Sequence, residues 1–154
     1  MTHRGRPAQS AQPGELTYRR VHHATRELLF DCLTQPEHLA RFWGPAGTST
    51  PAGGITVDLR PGGVFETVMV NDADGSQYTM SAVYVEVQRP ERLVWQEPGV
   101  EGGMTTTITF NDLGDGTTEV VTHQTNVPAM FATPAGQAGF QTSLDRFAAY
   151  VANL

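Results

Sequence analysis

Asp58–Gly75 reads DLRPGGVFETVMVNDADG, two apolar segments joined by a proline and two glycines. Such a junction is either a loop that cradles a phosphate or a turn. A phosphate loop gathers backbone N–H groups at a helix N-terminus, as in GxxxxGK[ST] or GxGxxG. Neither pattern is present, and the residues after Gly63 alternate instead: Phe65, Thr67 and Met69 share one face, Val64, Glu66, Val68 and Val70 the other. A period of two is that of a strand. The glycines therefore supply the backbone angles of a turn. Arg60 beside them is expected to pair with an acid on a neighbouring strand, Glu66 or Glu86. The run closes on NDADG, whose Asx-turn residues and glycine suit a hairpin loop.

The same period continues on both sides. Ile55-Val57-Leu59 precedes the turn. Tyr78, Met80, Ala82 and Tyr84 alternate with Ser81, Val83, Val85 and Val87 after it, followed by Leu93-Val94-Trp95, Met104 to Phe110 and Thr117 to Thr125. Six strands joined by short turns make an antiparallel meander. Ahead of them the period is helical: Leu28, Leu29, Cys32 and Leu33 mark a short helix capped by Thr25, and Pro36 opens a second with Leu39, Phe42 and Trp43 on its apolar face. Leu16 to Ala24 reads as a first strand. At the other end Thr133 caps a long helix with Pro134 in its first turn and Phe140, Leu144, Phe147, Ala148 and Val151 along one stripe.

Bulk properties narrow the function. The chain has 154 residues, enough for one domain with a real core, expected over 15–154 behind a flexible tail at 1–14. A net charge of -6 argues against nucleic acid as a partner. No window approaches the roughly 18 apolar residues of a membrane span and the start lacks an apolar signal region, so a cytoplasmic location is expected. Cys32 is the only cysteine, which excludes an internal disulfide.

This order of strand, helix pair, meander and long helix, carried by Arg20, ATRELLFDCLTQPEHLARFWGP, DLRPGGVF with Met69, NDADGSQY, YVEVQRPERLVW, TITFNDLGDGTTEVVTH and GFQTSLDRFAAYV, resembles the START-related SRPBCC superfamily, to which the birch pollen allergen belongs. Within it the chain is similar to the branch of the C-terminal domain of the activator of the ninety-kilodalton heat-shock chaperone ATPase. The resemblance implies an α+β helix-grip fold, a curved antiparallel sheet wrapped around the terminal helix. It departs from relatives at Gly139-Phe140, where they carry Gly-Trp, and at His22, where they carry an aliphatic or aromatic residue.

Under that fold a small-molecule cavity is expected beneath residues 135–151, lined by Trp43, Phe65, Met69, Tyr78, Met80, Tyr84, Trp95, Met104, His123, Phe140 and Leu144. Methionine and aromatic side chains give an adaptable apolar wall with a few polar handles. The favoured reading is a binding protein for a small apolar or amphipathic molecule, without cofactor. A cyclase- or hydrolase-like enzyme would need an inward acid–base pair such as His123 with Glu66 or Glu119. A stress-related co-chaperone or toxin-sequestering resistance protein is a third reading, and the resemblance allows a homodimer. Strand phase decides His123: sharing a face with Val121 it projects inward, whereas Val120, Thr122 and Gln124 inward would turn it out. No metal site is expected, since His22 and His23 point to opposite faces. Cys32 among leucines reads as a buried small residue rather than a nucleophile.

Overall fold

A computed structural model describes residues 14–100 and 102–154, so all but Gly14 of the tail expected at residues 1–14 lies outside the described residues. Strand β1 (Leu16–His22) leads to helices α1 (Arg26–Cys32) and α2 (Pro36–Phe42). Strands β2 (Thr48–Ser49), β3 (Ile55–Val57), β4 (Val64–Asn71), β5 (Gln77–Gln88), β6 (Arg92–Glu97), β7 (Met104–Asp112) and β8 (Thr118–Thr125) follow. Helices α3 (Ala129–Ala132) and α4 (Pro134–Ala152) end the chain. The sheet runs β1-β8-β7-β6-β5-β4-β2 with β3 also on β4, every pairing antiparallel. This is the α+β helix-grip fold.

The helices start where side chains relieve unpaired backbone N–H groups. Thr25 accepts from Leu28 N at 3.3 Å and Thr133 from Gly136 N at 3.0 Å. Pro36 and Pro134 occupy first-turn positions that require no donor. Leu29, Phe30 and Cys32 of α1 and Leu39 and Phe42 of α2 are buried. Two short elements escape a period-based reading: β2 has two residues and α3 four, too few to show a repeat.

The RPGG turn is held tightly. Asp58 N donates to Val64 O at 2.8 Å, closing the β3–β4 connection, and Gly62 N and Gly63 O reach across to Tyr84 O and N at 2.8 and 2.9 Å. A Cβ on Gly63 would lie 1.9 Å from Asp58 O, so only glycine fits. Gly62 has φ of 85°, the left-handed region. Arg60 corrects the expectation made for it. Its guanidinium bonds to Asp58, 2 residues back, at 3.0 Å. Glu66 instead accepts from Ser81 Oγ at 2.9 Å and Glu86 pairs with Arg92 at 3.1 Å. Glu66 and Glu86 are thus taken up by cross-strand partners, and Asp58 within the turn is the acid next to Arg60.

The core is aromatic. Phe65 stacks on Tyr84 at 5.4 Å between ring centres, and Trp95 meets Phe65 edge-on at 5.1 Å. Tyr84 is 1% exposed and its hydroxyl has no hydrogen-bond partner among the described residues. An unpaired buried hydroxyl carries a desolvation cost that its packing must offset. Tyr84→Phe keeps the stacked ring and removes that cost. Urea unfolding is expected to show stability unchanged or raised by up to about 1 kcal/mol; a loss larger than that would mean the hydroxyl has a partner in solution.

Candidate functional site

Between the inner face of the sheet and the first half of α4 lies a cavity of about 620 Å³. Its existence follows from the composition of the helix. Where α4 faces the cavity its residues are Ala135, Gly136 and Gly139, then Phe140, Ser143, Leu144 and Phe147. Small side chains leave space over the first turns. Further along, Phe147 and Val151 are buried and close it, with Phe147 against Phe42 at 4.9 Å.

Two arginines fix the helix at this height. Arg20 on β1 donates to Asp145 at 3.0 Å and to Gln141 at 2.6 Å. Arg146 donates to the carbonyls of Gly44, Pro45 and Thr48 at 2.9, 3.0 and 3.2 Å, which anchors the opposite side to the loop after α2. The cavity opens beside Ser76, Gln77, Tyr78 and Phe131, the exposed members of its lining on that side. Its closed end is formed by buried His22, Phe42 and Phe147 and by Leu33.

Of the residues expected to line a cavity, Trp43, Met69, Tyr78, Met80, Trp95, Met104, Phe140 and Leu144 do so. Phe65 and Tyr84 do not. They form a layer behind Trp43 and Trp95, with Trp43 to Phe65 at 5.4 Å. His123 is a correction: Val120, Thr122 and Gln124 face inward, and His123 lies on the outer face with Nε2 3.4 Å from Glu15. Glu66, bonded to Ser81, is on the outer side of β4, and Glu119 accepts from Asn111 and neighbours Arg19. The acid–base pair drawn from these residues is therefore not in the cavity. Cys32 is fully buried, and burial first, then Asp31, pushes its thiol up to about 11. Among the described residues no three His, Cys, Asp or Glu side chains converge on a metal-sized site, and no helix is long and apolar enough to cross a membrane.

A family model for the activator of Hsp90 ATPase homolog 1-like protein matches residues 23–152. The chain belongs to this family. The AHSA1-like family is part of the SRPBCC superfamily, whose fold is of a ligand-binding type. Solved structures agree with the assignment. A Chromobacterium violaceum protein is 27% identical with a TM-score of 0.77, the match covering 89% of this chain and 96% of that one. A Nitrosomonas europaea protein is 26% identical with a TM-score of 0.78 over 94% and 97% of the two chains. The AHSA1-like protein of Aeromonas hydrophila is 25% identical with a TM-score of 0.73 over 90% and 93%. No curated protein sequence matches the chain.

In this AHSA1-like cavity the ionisable groups are Arg20, His22, Glu97 and two tyrosines, Tyr18 and Tyr78. Burial, then the charges of Arg20 and His23, lowers the His22 imidazole to about 4, so it stays neutral against the edge of Phe147. Burial raises the Glu97 carboxyl to about 7. Sequence reading passed over Glu97, although it has the parity of inward Leu93 and Trp95.

These two groups act on stability in opposite directions. Folded His22 binds fewer protons than the unfolded chain between about pH 4 and 6.5, so it makes stability rise with pH there. Folded Glu97 binds more protons than the unfolded chain between pH 4.5 and about 7, so it makes stability fall with pH. Each is worth up to about 3 kcal/mol, and in the native protein they largely cancel over the shared window. Urea midpoints measured from pH 4 to 7.5 should therefore fall with pH in His22→Leu and rise with pH in Glu97→Gln. Both variants following the native curve would show that neither group is shifted.

Proposed function

We propose that the protein binds a small hydrophobic or amphipathic molecule in the cavity between the sheet and α4. The observation that carries the reading is the cavity itself, walled by Trp43, Met80, Trp95, Met104, Ile108 and Phe147 under a helix half made of small residues. A solid core would be filled to native density, whereas this space is left open where Gly139 carries no side chain and Ala135 only a methyl group. Covering apolar ligand surface there contributes about 25 cal/mol per Å² before the costs of association. SRPBCC proteins generally bind small hydrophobic ligands, which is consistent with this reading.

Hydroxyl and amide groups on the inner face give orientation without much charge. Thr106, Thr122 and Gln124 are buried in the lining, and Trp43 Nε1 is already satisfied by Thr67 Oγ1 at 3.1 Å. The wall is thus mostly apolar with a few polar points, as small-molecule sites are.

Gly139 offers the most direct test. It lines the cavity, and a Cβ there would meet no atom within 4 Å. Gly139→Ala should fold normally and gain about 0.5–1 kcal/mol from the helix preference of alanine. Gly139→Phe should fold but occupy the space. Native mass spectrometry of freshly purified protein is expected to show a co-purified small molecule that is lost in Gly139→Phe. Trp43 and Trp95, the chain's two tryptophans, both line the cavity, so their fluorescence reports added apolar probes such as n-octanol. Equal probe binding by native protein and Gly139→Phe would overturn the reading.

A further inference from the structure

The cavity is polarised along its length. Glu97 ends β6 opposite Met104, while Arg20 pairs with Val120, which faces Phe110. From Met104 to Phe110 along β7 is about 20 Å at ~3.4 Å per residue, so the two charges sit towards opposite ends. At the Arg20 end the guanidinium is occupied by Asp145 and Gln141. His22 beyond it, buried against Phe147, brings no charge.

At the other end the carboxyl of Glu97 is different. The residue is 6% exposed, lines the cavity and has no side-chain hydrogen bond or ion pair among the described residues. Buried carboxylates ordinarily come with a partner. Its charge acts on Tyr78, a residue 52% exposed at the opening, which places Glu97 on the mouth side of the apolar space. With the carboxyl ionised, as it is at pH 8, an anionic head group at that position would meet a like charge and a neutral one would leave the carboxylate without a counter-charge.

Resting on the ligand-binding reading above, we propose that Glu97 is the polar anchor of the cavity and that the ligand class is an amphipathic amine, its ammonium on the Glu97 carboxylate and its apolar body directed towards Phe42 and Phe147. The pairing is a charge-assisted hydrogen bond at the mouth end of the apolar walls. Carboxyl ionisation and ammonium binding then support each other, which accounts for a buried acid that nothing in the protein itself neutralises.

The test uses three probes with one tail, n-octylamine, n-octanol and octanoate, titrated at pH 8 into the full chain, with tryptophan fluorescence and calorimetry as readouts. Octylamine is expected to bind about tenfold or more tighter than octanol, with octanoate weakest. In Glu97→Gln, a near-isosteric change, the ratio of octylamine to octanol affinity should fall to near one. Octanol binding without an amine preference, or a preference that survives Glu97→Gln, overturns the anchor and leaves the cavity reading standing. An amine that binds Gly139→Phe as well as native protein is held by the acidic surface, which also overturns the anchor. Failure of all three probes to bind overturns the cavity reading and the anchor with it. Should Glu97→Gln not fold, the order of the three probes on native protein decides alone.

Discussion

Everything in this molecule turns on the height at which α4 is held above the sheet. Its second half is pressed down by Phe147 and Val151, each burial contributing about 1.5–3 kcal/mol. Its flanks are tied by charge, to β1 through Arg20 and Asp145 and to the loop after α2 through Arg146. The Arg20 side chain is 12% exposed, so this pair sits largely out of water and its geometry matters more than that of the surface pairs. Both ties join the helix at residues 141–146, and just before them Phe140 rests on Tyr18 with ring centres 4.7 Å apart, so the small residues of the first turns are held over the sheet without filling the space below. The free space beneath them is a consequence of that arrangement and of the small residues that face it.

Two glycines of α4 show how finely this is set. At Gly136 a Cβ would lie 2.5 Å from Met130 O and 2.7 Å from Phe131 Cα, so the absence of a side chain lets α3 fold back onto the start of α4. At Gly139, one turn on, a Cβ would touch nothing. The first glycine is required by backbone packing. The second carries the entropic cost of glycine in a helix with no contact to justify it, and a volume kept free is the remaining physical reason for it to be there.

Much of the framework was legible because framework residues act locally. Thr25, Pro36, Thr133 and Pro134 signal helix starts through their own backbone chemistry, and RPGG, NDADG and NDLGDG signal turns in the same way. Strand phase is where legibility failed. On β8 the inward residues are Thr118, Val120, Thr122 and Gln124, while Val121 faces out beside His123. A wall that lines a cavity with hydroxyls and an amide reverses the usual rule that the inner face is the more apolar one, so hydropathy alternation cannot tell the two faces apart. Phe65 and Tyr84 were assigned to the right face but the wrong depth. Parity says which way a side chain points, and only the positions of Trp43 and Trp95 in front of those rings say what lies between it and the cavity.

Glu97 brings these threads together. Its parity was readable, since Leu93, Trp95 and Glu97 alternate with Val94 and Gln96, yet a glutamate before Pro98 at the end of a strand reads as a solvated turn residue. What turns it inward is its pairing with Met104 at the start of β7, a contact across the six connecting residues 98–103 that periodicity does not see. The features that place the chain in its family and the features that select a ligand thus lie on different parts of the fold. The turns and helix caps of this chain set the course of the sheet and the points where its helices start. The chemistry facing the ligand is set by inward positions of β1, β6, β7 and β8, where a change of residue costs the framework little, and for this reason family membership shows the fold and the cavity's own side chains must be asked about the ligand.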